Sequence, residues 1–158
     1  MNVDPGDDDR PDEDPIERST GVPGAADLGA GVLGVGVDLL DVDRMDAERR
    51  REGDGFRDRV FHPNERAYCD ERARPAEHYA ARFAAKEAFA KALGTGIAKG
   101  VSWCEIEVAR DDVGAPFFRL HGETARIARE RGVGRVHLSL SHARTLAAAI
   151  VVIEGDAR

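Results

Sequence analysis

The sequence predicts an α+β domain in which helices pack against antiparallel sheet, and three observations carry that reading. An apolar run with β-branched residues opens the body at 32–40, and a long alanine-rich helical stretch occupies 76–93. From residue 103 onward the apolar period shortens to that of strands, broken by one further helix. The order strand, helices, hairpin, helix, hairpin lacks the regular alternation of a parallel sheet. No internal repeat is visible.

Each element has a local cause. Residues 32–40, from Val32 to Leu40, read as a buried strand closed by Asp38, and glycines inside a strand mark close approach of another backbone or a ligand. Asp41 or Asp43 can cap a short helix from Val42 to about Arg51, which Gly53 and Gly55 break. Residues 56–61 form a short apolar-basic segment. His62-Pro63-Asn64-Glu65 starts a helix with proline in its first turn, running to about Ala73. Pro75 starts the longest helix, 76–93, which Gly94 terminates. Over 103–110, Ile106 and Val108 face one way and Glu105 and Glu107 the other. Asp111-Asp112-Val113-Gly114 turns the chain into a returning strand at 116–120. Residues 122–131 are a helix with Ile127 on its inner side, and 136–142 and 146–153 are two further strands joined by a short turn.

The 158 residues suit one domain. Residues 1–30 hold nine acids and two bases, a net of −7 that equals the formal charge of the whole chain. The body is therefore balanced, with 21 acids against 21 bases. The first segment is rich in Asp, Pro and Gly and nearly lacks large apolar side chains, so it cannot offset the entropy of ordering. We expect a disordered acidic tail over 1–31 and one folded domain over 32–155. The tail lacks the basic-then-apolar pattern of a signal peptide, and no apolar run approaches the roughly 20 residues of a membrane helix. Neither a membrane nor a nucleic acid is expected as a partner. Cys69 and Cys104, without metal-ligand spacing, read as packing residues in a reducing cytoplasm.

The helix at 76–93 also carries the chemistry. Glu87 shares a face with Phe83 and Lys91. On spacing alone this is an exposed Glu–Lys pair worth roughly 0.3–0.5 kcal/mol. Alanines at 84, 85, 88, 90 and 92, with Phe83 and Phe89, instead suggest a partly buried carboxylate that needs a partner. Asp38, taken alone, reads better as a helix-capping residue than as a ligand. Two carboxylates supply part of an octahedral oxygen shell for Mg²⁺, leaving positions for water and phosphate. The loop Gly94-Thr95-Gly96-Ile97-Ala98-Lys99-Gly100 offers backbone N–H groups and a hydroxyl, but no Gly-Lys-Ser/Thr follows, which disfavours a P-loop nucleotidase. No Ser-His-Asp arrangement can be assigned around His142. His62, His78, His121 and His137 lack the i, i+4 pairing of helical zinc sites, so a zinc enzyme is not expected.

These residues together resemble the holo-acyl-carrier-protein synthases of the phosphopantetheinyl transferase superfamily, over about 32–154. The resemblance rests on Gly34-Val35-Gly36-Val37-Asp38 with Arg44 following, on the run from Arg82 to Lys91, on Gly94-Thr95-Gly96-Ile97, and on Leu138-Ser139-Leu140-Ser141-His142 before a final apolar strand. It implies transfer of phosphopantetheine from coenzyme A to a serine of an acyl carrier protein, releasing adenosine 3',5'-bisphosphate. By the same resemblance Asp38 and Glu87 hold Mg²⁺ on the pyrophosphate, and Lys91 contacts phosphate. Gly94, Thr95, Gly96, Ser141 and His142 line the nucleotide pocket, while Arg44, Arg49, Arg50 and Arg51 face the acidic carrier.

Larger members of the superfamily hold two copies of this unit, so by the same resemblance this single-copy chain is expected to form a homotrimer with sites between subunits. Ala143 and Arg144 follow His142 where several members of the family carry an acid, which leaves the base open between a metal-polarised water and Glu87 acting through water. Two other readings compete. A non-catalytic binder of coenzyme A or carrier would not require both acids, and a phosphoesterase would want more acids for two metals.

Overall fold

A computed structural model describes residues 31–156. All but the last residue of the expected acidic tail lies outside the described residues. In chain order the elements are β1 (Val32–Asp41), α1 (Val42–Glu52), α2 (Asp54–Val60), α3 (Pro63–Asp70), α4 (Pro75–Leu93), a 3-10 turn at Trp103–Glu105, β2 (Ile106–Arg110), β3 (Pro116–Leu120), α5 (Gly122–Glu130), β4 (Val133–His142) and β5 (Leu146–Gly155). The strands form two antiparallel sheets, β1-β5-β4 and β2-β3, rather than one.

The fold is organised around α4. Its alanines from Ala80 onward, with Tyr79, Phe89 and Leu93, are buried, and the helix is enclosed on most sides rather than along one stripe. Pro75 opens it, and Gly94 ends it in the left-handed region at φ 76°. One face of β1 lies against α4 at backbone contact. A Cβ on Gly34 would stand 1.9 Å from the Ala92 carbonyl oxygen, and one on Gly36 the same distance from that of Ala88. The two glycines therefore bring the strand and its acid down onto the helix. Gly36→Ala should cost about 3 kcal/mol in urea denaturation, because backbone must move to admit the methyl group. Gly55→Ala is the control. Its Cβ would meet nothing nearer than the Arg59 guanidinium at 3.8 Å, so stability should hold or rise by about 0.5–1 kcal/mol.

Several expectations are corrected. The strand does not end at Asp38 but runs to Asp41, whose carboxylate accepts from the Arg44 amide at 2.8 Å and caps α1. Only Gly53, at φ 61°, breaks the chain there; Gly55 lies inside α2, where burial of Phe56 and Val60 makes a helix of the apolar-basic segment. The third helix stops at Asp70 rather than near Ala73. Nor is β1 buried on both faces: Val35, Val37 and Leu39 are 58–63% exposed. Alternation puts Gly34, Gly36 and Asp38 on the helix side and the aliphatics on the other, where nothing among the described residues buries them.

Glu107 was expected opposite the buried face of its strand, yet it is 2% exposed. Asn64, Arg119 and His121 supply the partners that make burying it tolerable. Lys86 and Glu65 form a second buried polar cluster. The Lys86 Nζ donates to Glu65 Oε2 at 2.7 Å and to the carbonyls of Trp103 (2.8 Å) and Ile106 (2.6 Å), which uses all three of its protons. Glu65 also accepts from the amides of His62 and Val108. One ion pair thus ties α3, α4, the 3-10 turn and β2 together.

Cys69 is buried and Cys104 half-buried, and both are free. Burial pushes the Cys69 thiol up to about 12, which keeps it a packing group. Among the described residues no helix is long and apolar enough to cross a membrane.

Candidate active site

Asp38 lies two residues beyond Gly36 on the helix-facing side of β1, and Lys91 lies one turn beyond Glu87 on α4. Lys91 does not pair with Glu87. Its Nζ donates to Asp38 Oδ1 at 2.7 Å and to the Val37 carbonyl at 3.0 Å. Glu87 instead accepts from the indole Nε1 of Trp103 at 2.5 Å. Trp103 packs on Phe83, with ring centroids 5.8 Å apart, and its carbonyl is held by buried Lys86. The indole that orients Glu87 is therefore itself fixed from the core.

Both acids open onto one cavity of about 630 Å³. Phe56, Phe83 and Trp103 supply apolar wall, and Arg44 and Arg51 of α1 bring cationic groups. Among the described residues the hydrogen bonds on the two acids reach only Asp38 Oδ1 and Glu87 Oε1. The second oxygen of each carboxylate is left for another partner. Hard oxygen donors of this kind fit Mg²⁺, which keeps several waters and takes one or two carboxylates plus substrate phosphate.

The remaining expected residues are not all brought there. Gly94 is seven residues beyond Glu87, about 10 Å along the helix axis. The amides of Thr95 and Gly96 both donate to the Ala90 carbonyl, and the Thr95 hydroxyl donates to that of Gly96. These N–H groups complete the helix end instead of standing free for a phosphate. Ser141 and His142 pair with Ala148 and Ala147 of β5, whose far side pairs with β1, so two strand spacings of about 10 Å separate them from the Asp38 strand. His142 faces the start of α4, 3.4 Å from Glu77 and edge-on to the His78 ring at 5.2 Å.

The arginine run divides too. Arg49 is bonded to Asp46 and lies over the Tyr79 ring, while Arg50 and Arg51 keep largely exposed heads that pair with Asp46 and Glu48.

The sequence reading missed a cationic pocket near His142. The guanidinium groups of Arg72 and Arg82 each lie 4.0 Å from the Tyr68 ring centre, with Arg110 at 5.3 Å. Tyr68 touches His78, which touches His142. Burial, and then the like charges of His142, Arg82, Arg72 and Arg110, hold the His78 pKa below its ordinary value. Arg82 sits in the conspicuous alanine-rich helix, but the convergence of Arg72 and Arg110 on Tyr68 is non-local and had no linear signal.

Comparison with known proteins gives consistent findings. Residues 34–151 match the family described as the 4'-phosphopantetheinyl transferase superfamily. A holo-[acyl-carrier-protein] synthase of Syntrophus aciditrophicus is 51% identical over 100 residues, covering 63% of this chain and 78% of its own length. The crystal structure of the holo-[acyl-carrier-protein] synthase of Neisseria meningitidis superposes with a TM-score of 0.74 at 36% identity, covering 78% of this chain and 98% of that one. A Bacillus anthracis holo-(acyl-carrier-protein) synthase in complex with CoA (3',5'-ADP) superposes with a TM-score of 0.65 at 37% identity, covering 80% and 100%.

Proposed function

Because the chain belongs to the 4'-phosphopantetheinyl transferase superfamily, we infer that it transfers the phosphopantetheine of coenzyme A to a serine of an apo-acyl carrier protein. The products are holo-acyl carrier protein and adenosine 3',5'-bisphosphate. The observation that carries this reading is the convergence of Asp38, Glu87 and Lys91 beside a cavity flanked by Arg44 and Arg51.

Asp38 and Glu87 are the residues that would hold Mg²⁺, which supplies charge neutralisation on the pyrophosphate oxygens. Lys91, half-exposed beside Asp38, adds a mobile positive charge for the leaving phosphate. Displacement at phosphorus needs little more from a protein than positioning and charge. Trp103 positions Glu87. The Tyr68 arginine pocket, with Ser141 and His142, suits the nucleotide end, where coenzyme A carries its remaining phosphate, and the Gly94-Thr95-Gly96 turn contributes wall. Arg44, Arg50 and Arg51 give α1 a cationic face for an acidic carrier, with Arg49 serving mainly to pack the helix.

We place the complete site between subunits of a homotrimer. Two features support this: Ser141 and His142 stand apart from the acids within a protomer, and the outer face of β1-β5 carries bare Val35, Val37, Leu39 and Ile150. Contiguous exposed aliphatics on an edge strand suit association with another copy. Val37→Asp combined with Leu39→Asp should give a folded monomer in sedimentation with transfer lost, because both side chains point away from the core. A fully active, dilution-stable monomer would overturn the shared site.

The activity is tested by intact-mass measurement of apo carrier incubated with the enzyme, coenzyme A and Mg²⁺. Addition of one phosphopantetheine is the expected result, with none when a chelator replaces the metal. An unchanged carrier at high enzyme concentration rejects the proposal.

A further inference from the structure

Outside that cavity, His62, Glu107 and His121 converge from distant parts of the chain, and each offers a ligand atom within 4.8 Å of the others. His62 caps α3, its backbone amide bonded to Glu65. Glu107 is the second residue of β2, and His121 follows β3, with its amide on the Glu105 carbonyl. The imidazoles lie face to face, centroids 4.7 Å apart and planes within 5°.

The carboxylate between them is divided by role. Oε1 accepts from Asn64 at 3.0 Å and Arg119 at 3.1 Å, which fixes the group's orientation. Oε2 meets His121 Nε2 at 2.7 Å and His62 Nδ1 at 3.7 Å. Glu107 is almost wholly buried, whereas the two histidines are 25% and 35% exposed, so the nitrogen side opens to solvent. Despite its burial, hydrogen bonds from Asn64 and His121 and the charges of His62 and Arg119 hold the Glu107 pKa below the usual carboxylate value, which keeps it a competent ligand at neutral pH.

We propose that His62, Glu107 and His121 form a second metal site that takes a divalent ion of the zinc class. Two imidazoles and one fixed carboxylate select borderline-soft ions over Mg²⁺. Water fills the remaining position from the open side. The 2.7 Å contact is closer than the separation of about 3.3 Å between tetrahedral ligands of zinc, so His121 draws back. Both rings turn about χ2, a soft torsion, to aim their lone pairs at the ion. His62 Nδ1 gives up only its 3.3 Å contact to the Asn64 amide. The bound ion clamps α3, the β2-β3 hairpin and the start of α5, and so raises the melting temperature. None of this rests on the transferase reading.

The test is isothermal titration of the full chain with Zn²⁺ in excess Mg²⁺, with Co²⁺ absorbance as a second readout. Wild type should bind one ion per chain and melt at higher temperature with zinc. His62→Asn and His121→Asn, which keep side chains suited to capping positions, should fold normally and bind at least about tenfold more weakly. Glu87→Gln should bind zinc as wild type does. Absent binding in wild type, leaving a hydrogen-bonded cluster only, or undiminished binding in both histidine variants, would overturn the site. Should either Asn variant fail to fold, His121→Gln is held to the same criterion.

Discussion

Glu87→Gln should lower transfer by about a thousandfold in kcat while carrier affinity changes little, since removing one electrostatic stabiliser of a developing charge costs on the order of 10²–10³. The substitution keeps shape and an acceptor for the Trp103 indole, so packing around the 3-10 turn survives. What disappears is the negative charge on the oxygen left open toward the cavity. Steady-state kinetics and carrier binding by fluorescence anisotropy separate the two effects. Equal loss in both would contradict the metal assignment. Trp103 is the only tryptophan of the chain, and it bonds Glu87 directly. Its emission should therefore respond to Mg²⁺ in wild type and not in the variant.

Lys86→Met should destabilise the fold by about 3–5 kcal/mol, the usual cost of leaving one partner of a buried ion pair uncompensated. Lys86 and Glu65 are both fully buried. Burial pulls the Lys86 pKa down while Glu65 pulls it back, so the pair stands on mutual neutralisation in a place that favours neither charge. Adding Glu65→Gln should recover part of the loss, because no bare carboxylate then remains. Urea denaturation of the two singles and the double gives the coupling. The same lysine holds the Trp103 carbonyl, so the single variant should also lose activity at temperatures where it stays folded. Full activity there would show that Trp103 needs no anchor.

Local chemistry made much of the fold legible. Pro75 and Gly94 bounded the central helix, and the glycines at 34 and 36 announced the contact with it. Alternation misled in two places, for opposite reasons. Glu107 looked exposed because the pattern says nothing of partners arriving from α3 and β3. The first strand looked buried because a run of aliphatics does not reveal which of its faces meets the helix and which lies exposed. The metal-ligand search failed similarly: helical spacing cannot find His62 and His121, which meet only when the hairpin folds against α3. In the site, the i, i+4 rule paired Lys91 with Glu87, but Asp38, carried in by the glycine-permitted strand contact, takes the lysine.

The proposed trimer divides its site between subunits, and mixing two defective chains tests that most directly. Glu87→Gln lacks the acid, and His142→Ala lacks the residue expected from the neighbour. Each alone should transfer poorly. Co-refolded in equal amounts, they should recover about one quarter of wild-type activity, because about three quarters of randomly assembled trimers are mixed and each rebuilds one intact site in three across a heterologous interface. A mixture no more active than the average of its parents would contradict a shared site.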